Sequence, residues 1–244
     1  MQTVDVAGVA VGALDAGGWV DHLCACVSRG GAHHHVSLNA AKWVALRTDP
    51  ELRRIVHSAT SVAADGVGIV WAARLAGTPL PQRVPGADLA EALIRQGIVR
   101  SWRVGLLGAR PPVLQRVVEQ LSTAGADLVF AHHGYFHDAA AIADAIAGAR
   151  PELLLVALGS PRAERFIGRH LARMQVPLVL GVGGTLDVWA GGARRAPRLA
   201  QRAGLEWAWR LALSPRARFQ RALVDTVRFA AAIARGERVP MEPS

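Results

Sequence analysis

The chain is poor in several residue types that would announce a mechanism. It has two cysteines, Cys24 and Cys26, in 244 residues. On one helix a C-x-C pair points its thiols about 200° apart, which excludes a mutual disulfide and a shared metal. Small buried residues in a reducing compartment are the reading that remains. Lys42 is the only lysine and Tyr135 the only tyrosine. No run of about 18 uninterrupted apolar residues occurs, so no spanning helix is expected. The N-terminus MQTVDVAGVAVGAL lacks a basic start and is interrupted by Asp5, which argues against a secretory signal. The expected location is therefore cytoplasmic, at most peripheral on the inner face of the membrane. No two aspartates stand two apart, so the chain has no Asp-x-Asp metal grip. It also has no Walker loop and no complete G-x-G-x-x-G.

What is present is apolar and basic. Hydrophobic residues make up 51% of the chain, enough for a sizeable core, and the formal charge is +9. Such a charge favours a partner carrying phosphate. The surplus is local. From Arg194 to Arg238 there are 11 arginines against Glu206, Asp225 and Glu237, a net of +8. The same stretch carries Leu205, Trp207, Trp209, Leu211 and Leu213, then Phe219, Leu223 and Val227 at four-residue spacing. It reads as basic amphipathic helices suited to an anionic membrane surface, an anionic ligand or both. The expected division is a core over 1–192 and a basic appendage over 193–244.

Upstream, short β-like and helix-like runs alternate. Strands are expected at 34–39, 61–65, 103–108, near 127–131, 153–159 and 177–184. Helices are expected at 40–59 with a break at Pro50, 67–77, 87–99, 111–125, 139–149 and 160–174, the last with Ser160 as N-cap. This rhythm predicts an α/β fold, a mostly parallel sheet with helices on both faces. Ligands of such sheets bind beyond the carboxyl ends of the strands. Those ends carry Ser37 and Asn39, Asp65 with Gly66, Gly105 and Gly108, Gly159 with Ser160, and Gly181, Gly183 and Gly184. Glycines there let backbone amides approach a ligand, often a phosphate. Asp65 could also cap the helix that follows it. The HHH run at 33–35 reads as an ordinary entry into a strand. His132 or His133, before GYF, could touch a substrate hydroxyl.

Seven ordered blocks carry a resemblance: VSLNAAKWVALRTDPELRRIV, ADGVGIVWAARLAGTPLPQRVPGADL, GLLGARPPVLQ, HHGYF, LLVALGSPRAERFIGRH, GVGGTLDVWAGGARRAPRL and GLEWAWRL. Together they closely resemble the WecG/TagA/CpsF family of bacterial glycosyltransferases, over residues 35 to 221. The resemblance implies a Rossmann-like fold and an inverting, metal-independent transfer that uses no cofactor. It implies a UDP-sugar donor giving N-acetylmannosamine, its uronic acid or glucose. It implies an acceptor sugar on a polyprenyl diphosphate, and no nucleic-acid partner. Asp65 then matches the family's base. An inverting transfer is one displacement, so one base suffices and UDP needs no acid to leave. Ser37 and Asn39 would line the acceptor side, Arg83 would lie near the reaction, and Asp187 would accept a sugar hydroxyl or anchor the fold. Arg210 matches a donor-binding arginine, with Arg216, Arg218 and Arg221 as further candidates. One departure stands out: GSPRAE places Ala163 where the family has glutamine. A non-catalytic nucleotide-sugar-binding membrane adaptor is the alternative this permits. Glycine-ended strands alone would also suit a nucleotide-cofactor oxidoreductase.

Overall fold

The computed structural model describes residues 1–191 and 216–240, with side chains in the last helix described from Val224 onward. The central sheet holds β3 (His33–Leu38), β4 (Ser61–Ala64), β5 (Arg103–Gly108), β6 (Asp127–His132), β7 (Leu153–Ala157) and β8 (Leu178–Gly181). Its order is β4-β3-β8-β7-β5-β6, and every pairing is parallel. A separate antiparallel hairpin, β1 (Thr3–Val6) with β2 (Val9–Gly12), precedes it and was not legible as strands in the sequence.

Helices cover both faces. Strand residues alternate between two packings, as a pleat demands. Leu153 and Leu155 of β7 pack with Trp19 and Leu23 of α1 (Ala16–Arg29), Leu93 of α5 (Gly86–Arg100) and Val117 of α6 (Pro111–Thr123). Leu154 and Val156 turn the other way, onto Ile146 of α7 (Ala139–Ala149) and Ile167 of α8 (Arg162–Met174). The unbroken apolar run of β7 is thus the signature of a strand buried on both sides.

The helical break at Pro50 is real. Asp49 ends α2 (Ala40–Thr48) and begins α3 (Pro50–His57), and its Oδ1 accepts the Leu52 N–H at 3.0 Å. Ser160, in contrast, is not the N-cap of α8. That helix starts one residue later than expected, and its cap is Pro161, which makes no side-chain cap hydrogen bond.

A third cluster joins the hairpin, α2, α3, α4 (Val67–Leu75) and the last helix, here α10 (Arg216–Ala234), which follows α9 (Thr185–Trp189) in the described chain. Phe229 of α10 meets Trp43 edge to face, with ring centroids 5.2 Å apart. Beyond α10 the chain returns to the hairpin, where the Val239 N–H donates to the Ala7 carbonyl at 2.8 Å. Arg238 pairs with Asp5 at 2.6 Å and Arg47 with Glu237 at 2.5 Å. The far end of α10 is therefore clamped to the first strands of the chain.

Two histidines of β3 are sealed in this core. His35 lies edge-on to Trp19 and its Nδ1 is 2.9 Å from the Ser61 hydroxyl. Burial drives its pKa down to about 3, helped by the charges of His34, Lys42 and His22. Burial takes His34 to about 4, with Glu164 opposing and Lys42 assisting. Both are neutral in the fold, whereas an unfolded histidine titrates near 6.5. As pH falls below that value the unfolded chain takes up protons the folded chain refuses. Stability should therefore be level above about pH 6.5 and decline from there towards pH 4, by about 2 kcal/mol per histidine at pH 5. Urea midpoints at pH 7.5 and 5 test this. His35→Gln should remove about half of the difference, and equal midpoints in the wild type would contradict the assignment.

Candidate active site

A cavity of about 790 Å³ opens at the carboxyl ends of β4, β3, β8 and β7, and α4 and α10 wall its outer side. This is where an open parallel sheet places its ligands. β3 runs outward to β4 on one side while β8 begins the other half of the sheet.

Asp65 stands at the mouth of β4. Its backbone N–H extends the strand ladder, donating to the Leu38 carbonyl at 2.9 Å. Its side chain does not cap α4: the cap residue there is Gly66, and no side chain bonds that helix start. Asp65 Oδ1 instead accepts the Gly86 N–H at 3.1 Å, at the first residue of α5. The connecting loop, which carries Arg83, is folded back by the Val84 N–H donating to the Ala64 carbonyl at 2.8 Å. Gly86 has to be small. A Cβ there would lie 2.6 Å from the Ser37 hydroxyl oxygen. The requirement for glycine thus brings Ser37, Asp65 and α5 into one cluster.

Beneath it lies a buried ion pair. Lys42 Nζ is 2.7 Å from Glu164 Oε1, and the two side chains are 7% and 4% exposed. The same ammonium donates to the Ser37 carbonyl at 2.8 Å. Burial pushes the Glu164 carboxyl up. The charge and hydrogen bond of Lys42, with smaller help from its own backbone amide and the Ser160 hydroxyl, more than offset this and hold it below the usual range. Glu164 is therefore ionised at neutral pH. Among the described residues, the charged side chains lining the cavity are Lys42, Asp65, Arg83 and Glu164, two of each sign.

The sequence profile of the Glycosyl transferase WecG/TagA/CpsF family matches residues 4–242. The chain is 32% identical over 197 residues to an N-acetylglucosaminyldiphosphoundecaprenol N-acetyl-beta-D-mannosaminyltransferase of Bacillus spizizenii, covering 80% of this chain and 76% of that protein. It is 33% identical over 163 residues to the Bacillus subtilis protein of the same name, covering 66% of this chain and 64% of the relative. The chain belongs to the WecG/TagA/CpsF family. It is a glycosyltransferase with a six-stranded Rossmann-like sheet.

Of the positions expected from the strand ends and from the family resemblance, the cavity brings together Ser37, Asn39, Asp65, Arg83, Ser160, Gly183 and Gly184. Asn39 has a second duty as N-cap of α2, its Oδ1 accepting the Lys42 N–H at 2.9 Å. Ala163, at the place of the family's glutamine, is buried against the cavity wall. Gly108, Gly159 and Asp187 are not among the lining residues. Gly108 ends β5, where a Cβ would strike the Ala157 backbone at 2.5 Å, so it serves close strand packing. Gly159 has φ 74° in the turn after β7, and Asp187 sits in the first turn of α9. His132 and His133 lie at the end of the edge strand β6 and are not among the residues lining this cavity. Arg210 falls outside the described residues. Arg216, Arg218 and Arg221 lie in the first turns of α10, outside the described side chains.

Sequence reasoning missed Lys42, Glu164 and Gly86. The signal for Lys42 was its solitude: one lysine is kept in a chain that otherwise uses arginine, at a place where a compact ammonium must fit between a carboxylate and a carbonyl. Removing one partner of a buried pair leaves an uncompensated charge, at a cost of about 3–5 kcal/mol. Lys42→Met should lower stability by that amount in urea titration, and Lys42→Met with Glu164→Met should recover most of it. A loss below about 1 kcal/mol in the single variant would show the pair to be solvated.

Proposed function

We propose that the chain transfers N-acetylmannosamine from UDP to N-acetylglucosamine carried on a polyprenyl diphosphate, with inversion and without a metal ion. The names of both relatives support this donor sugar and this acceptor. The observation that carries the mechanism is the carboxylate of Asp65 on the cavity wall, anchored by one oxygen to the Gly86 amide.

Asp65 takes the proton from the acceptor hydroxyl. The hydroxyl oxygen bonds to the anomeric carbon as the bond from that carbon to the diphosphate oxygen breaks, and UDP leaves with the electron pair. The anchored carboxylate is preorganised for this, and a positioned base is worth about 10²- to 10⁴-fold. Charge grows on the diphosphate and needs cations. The described lining supplies no surplus, because Lys42 is committed to Glu164 and the formal charges cancel. Arg83 and the basic stretch 194–238, with Arg210, Arg216, Arg218 and Arg221, are the groups assigned to meet it. The remaining positions are Gly108 at the end of β5, Gly159 in the turn after β7 and Asp187 in α9; they shape this end of the sheet, with Asp187 as acceptor of a sugar hydroxyl or as an anchor of the fold. Cell-surface polysaccharide assembly at the cytoplasmic face of the membrane is the setting that a lipid-linked acceptor requires. Among the described residues no helix is long and apolar enough to cross a membrane, so attachment would be peripheral, through the basic segment.

Asp65→Asn should lower transfer by about 10²- to 10⁴-fold while UDP affinity changes less than threefold. Calorimetric UDP titration beside a transfer assay checks both. Turnover within threefold of wild type would remove Asp65 from the mechanism. Activity should also persist in excess EDTA. Loss there with recovery on adding Mg²⁺ or Mn²⁺ would replace the arginine argument by a metal.

A further inference from the structure

Helix α4 is apolar on the wrong side as well as the right one. Ile69, Ala72 and Ala73 are buried in the core, as a surface helix requires. Its outer face should then be polar. Instead it presents Trp71, 66% exposed, and Leu75, 79% exposed, and Arg74 is its only charged residue. The two are four residues apart, so they share one helical face. Both also line the cavity. The facing wall is α10, which contributes Phe229, Ala230 and Ile233, and a Cβ at Gly68 of α4 would lie 3.1 Å from the Phe229 ring. Apolar side chains of α4 and α10 therefore line the cavity out to its rim, where Trp71 and Leu75 are exposed. At the base of that cavity stand the polar groups Ser37, Asp65 and Arg83.

We propose that this α4–α10 rim binds the first isoprenoid units of a lipid-linked ligand as they leave the cavity. The inference rests on the reading above that the acceptor sugar is borne on a lipid diphosphate. Such a ligand has one polar end and one long apolar chain. A cavity that encloses the polar end has to give the chain a path out. Water is a poor medium for that first segment, and an exposed indole beside an aliphatic residue is the side-chain pair that covers it at small entropic cost. Continuity with the cavity favours a single chain over a bilayer surface, since a flat membrane would not reach the inward portions of Trp71 and Leu75. Large exposed apolar side chains grouped at a cavity mouth are also uncommon on a surface without a partner.

The test uses the full chain and the double variant Trp71→Gln with Leu75→Gln. Both side chains are exposed, so the thermal midpoint should stay within about 2 °C of wild type. Two acceptors carry the same diphosphate sugar, one on a long isoprenoid in detergent and one on a short soluble alkyl chain. The variant should raise KM for the long-chain acceptor at least tenfold and leave KM for the short one and for the donor within twofold. An unchanged long-chain KM would overturn the proposal. An equal loss with both acceptors would also overturn it, because the effect would then not depend on the isoprenoid. Binding of a polyprenyl monophosphate without sugar, in detergent, separates this from the reaction itself. If the wild type transfers no sugar yet binds long-chain phosphate at least tenfold better than short, and the variant loses that preference, the rim stands and the proposed transfer falls. Loss of binding to anionic vesicles lacking polyprenyl lipid, with the chain-length preference intact, would assign the rim to the bilayer and overturn it. Should the double variant fail to fold, Trp71→Gln alone is read in the same assays, with a threefold effect as the threshold.

Discussion

The pair between Lys42 and Glu164 is the contact through which this end of the sheet is assembled. Three elements meet in it. Lys42 is on α2, Glu164 is on α8, and the Ser37 carbonyl that shares the ammonium closes β3. An isolated charge of either sign could not be buried here, because the desolvation cost is several kcal/mol per ion. Each group is tolerated only where the other holds it, and this fixes the spacing between α2 and α8 across the cavity floor. Ser37 then has a set position against Gly86, and Gly86 in turn holds the Asp65 carboxylate. The geometry of the proposed base is thus inherited, contact by contact, from a salt bridge it does not touch.

The same pair shapes the electrostatics. It places a cation under the cavity but spends its charge internally. Under the proposed transfer, a diphosphate at this site would meet one half-buried arginine, Arg83, among the described side chains, and would need further positive charge from elsewhere. The chain keeps that charge in its last fifth, where 11 arginines stand between Arg194 and Arg238. The location of α10 gives this arrangement a physical basis. Its Phe229 is locked on Trp43, and the segment after it is bonded to the N-terminal hairpin. The arginine-rich stretch therefore leads into a helix that is itself a wall of the cavity.

Much of this was legible in the sequence because the signals were periodic or positional. The six parallel strands follow from short apolar runs separated by helical spacing, and the break at Pro50 follows from an aspartate before proline. Asp65 was legible as a single acid at a strand-to-helix turn. Its bond to Gly86 was not, since it joins residues 21 apart through a folded-back loop. The buried pair was equally hidden: Lys42 and Glu164 lie on separate helices, and each reads as an ordinary surface charge until the sheet brings them together. Ser160 misled as an N-cap because the helix start is displaced by Pro161. The hairpin at residues 3–12 escaped notice because its strands are four residues each, too short for a period-two pattern to stand out.

The proposed transfer is a single displacement assisted by one carboxylate, and the configuration of the new glycosidic bond reports on that directly. The full chain would be given a UDP-α-linked N-acetylmannosamine donor and an N-acetylglucosamine acceptor on a lipid diphosphate, and the product's anomeric proton–carbon coupling measured by NMR. Inversion predicts a β-linked product with one UDP released per bond formed. An α-linked product, or UDP released at the same rate with the acceptor left out, would contradict it.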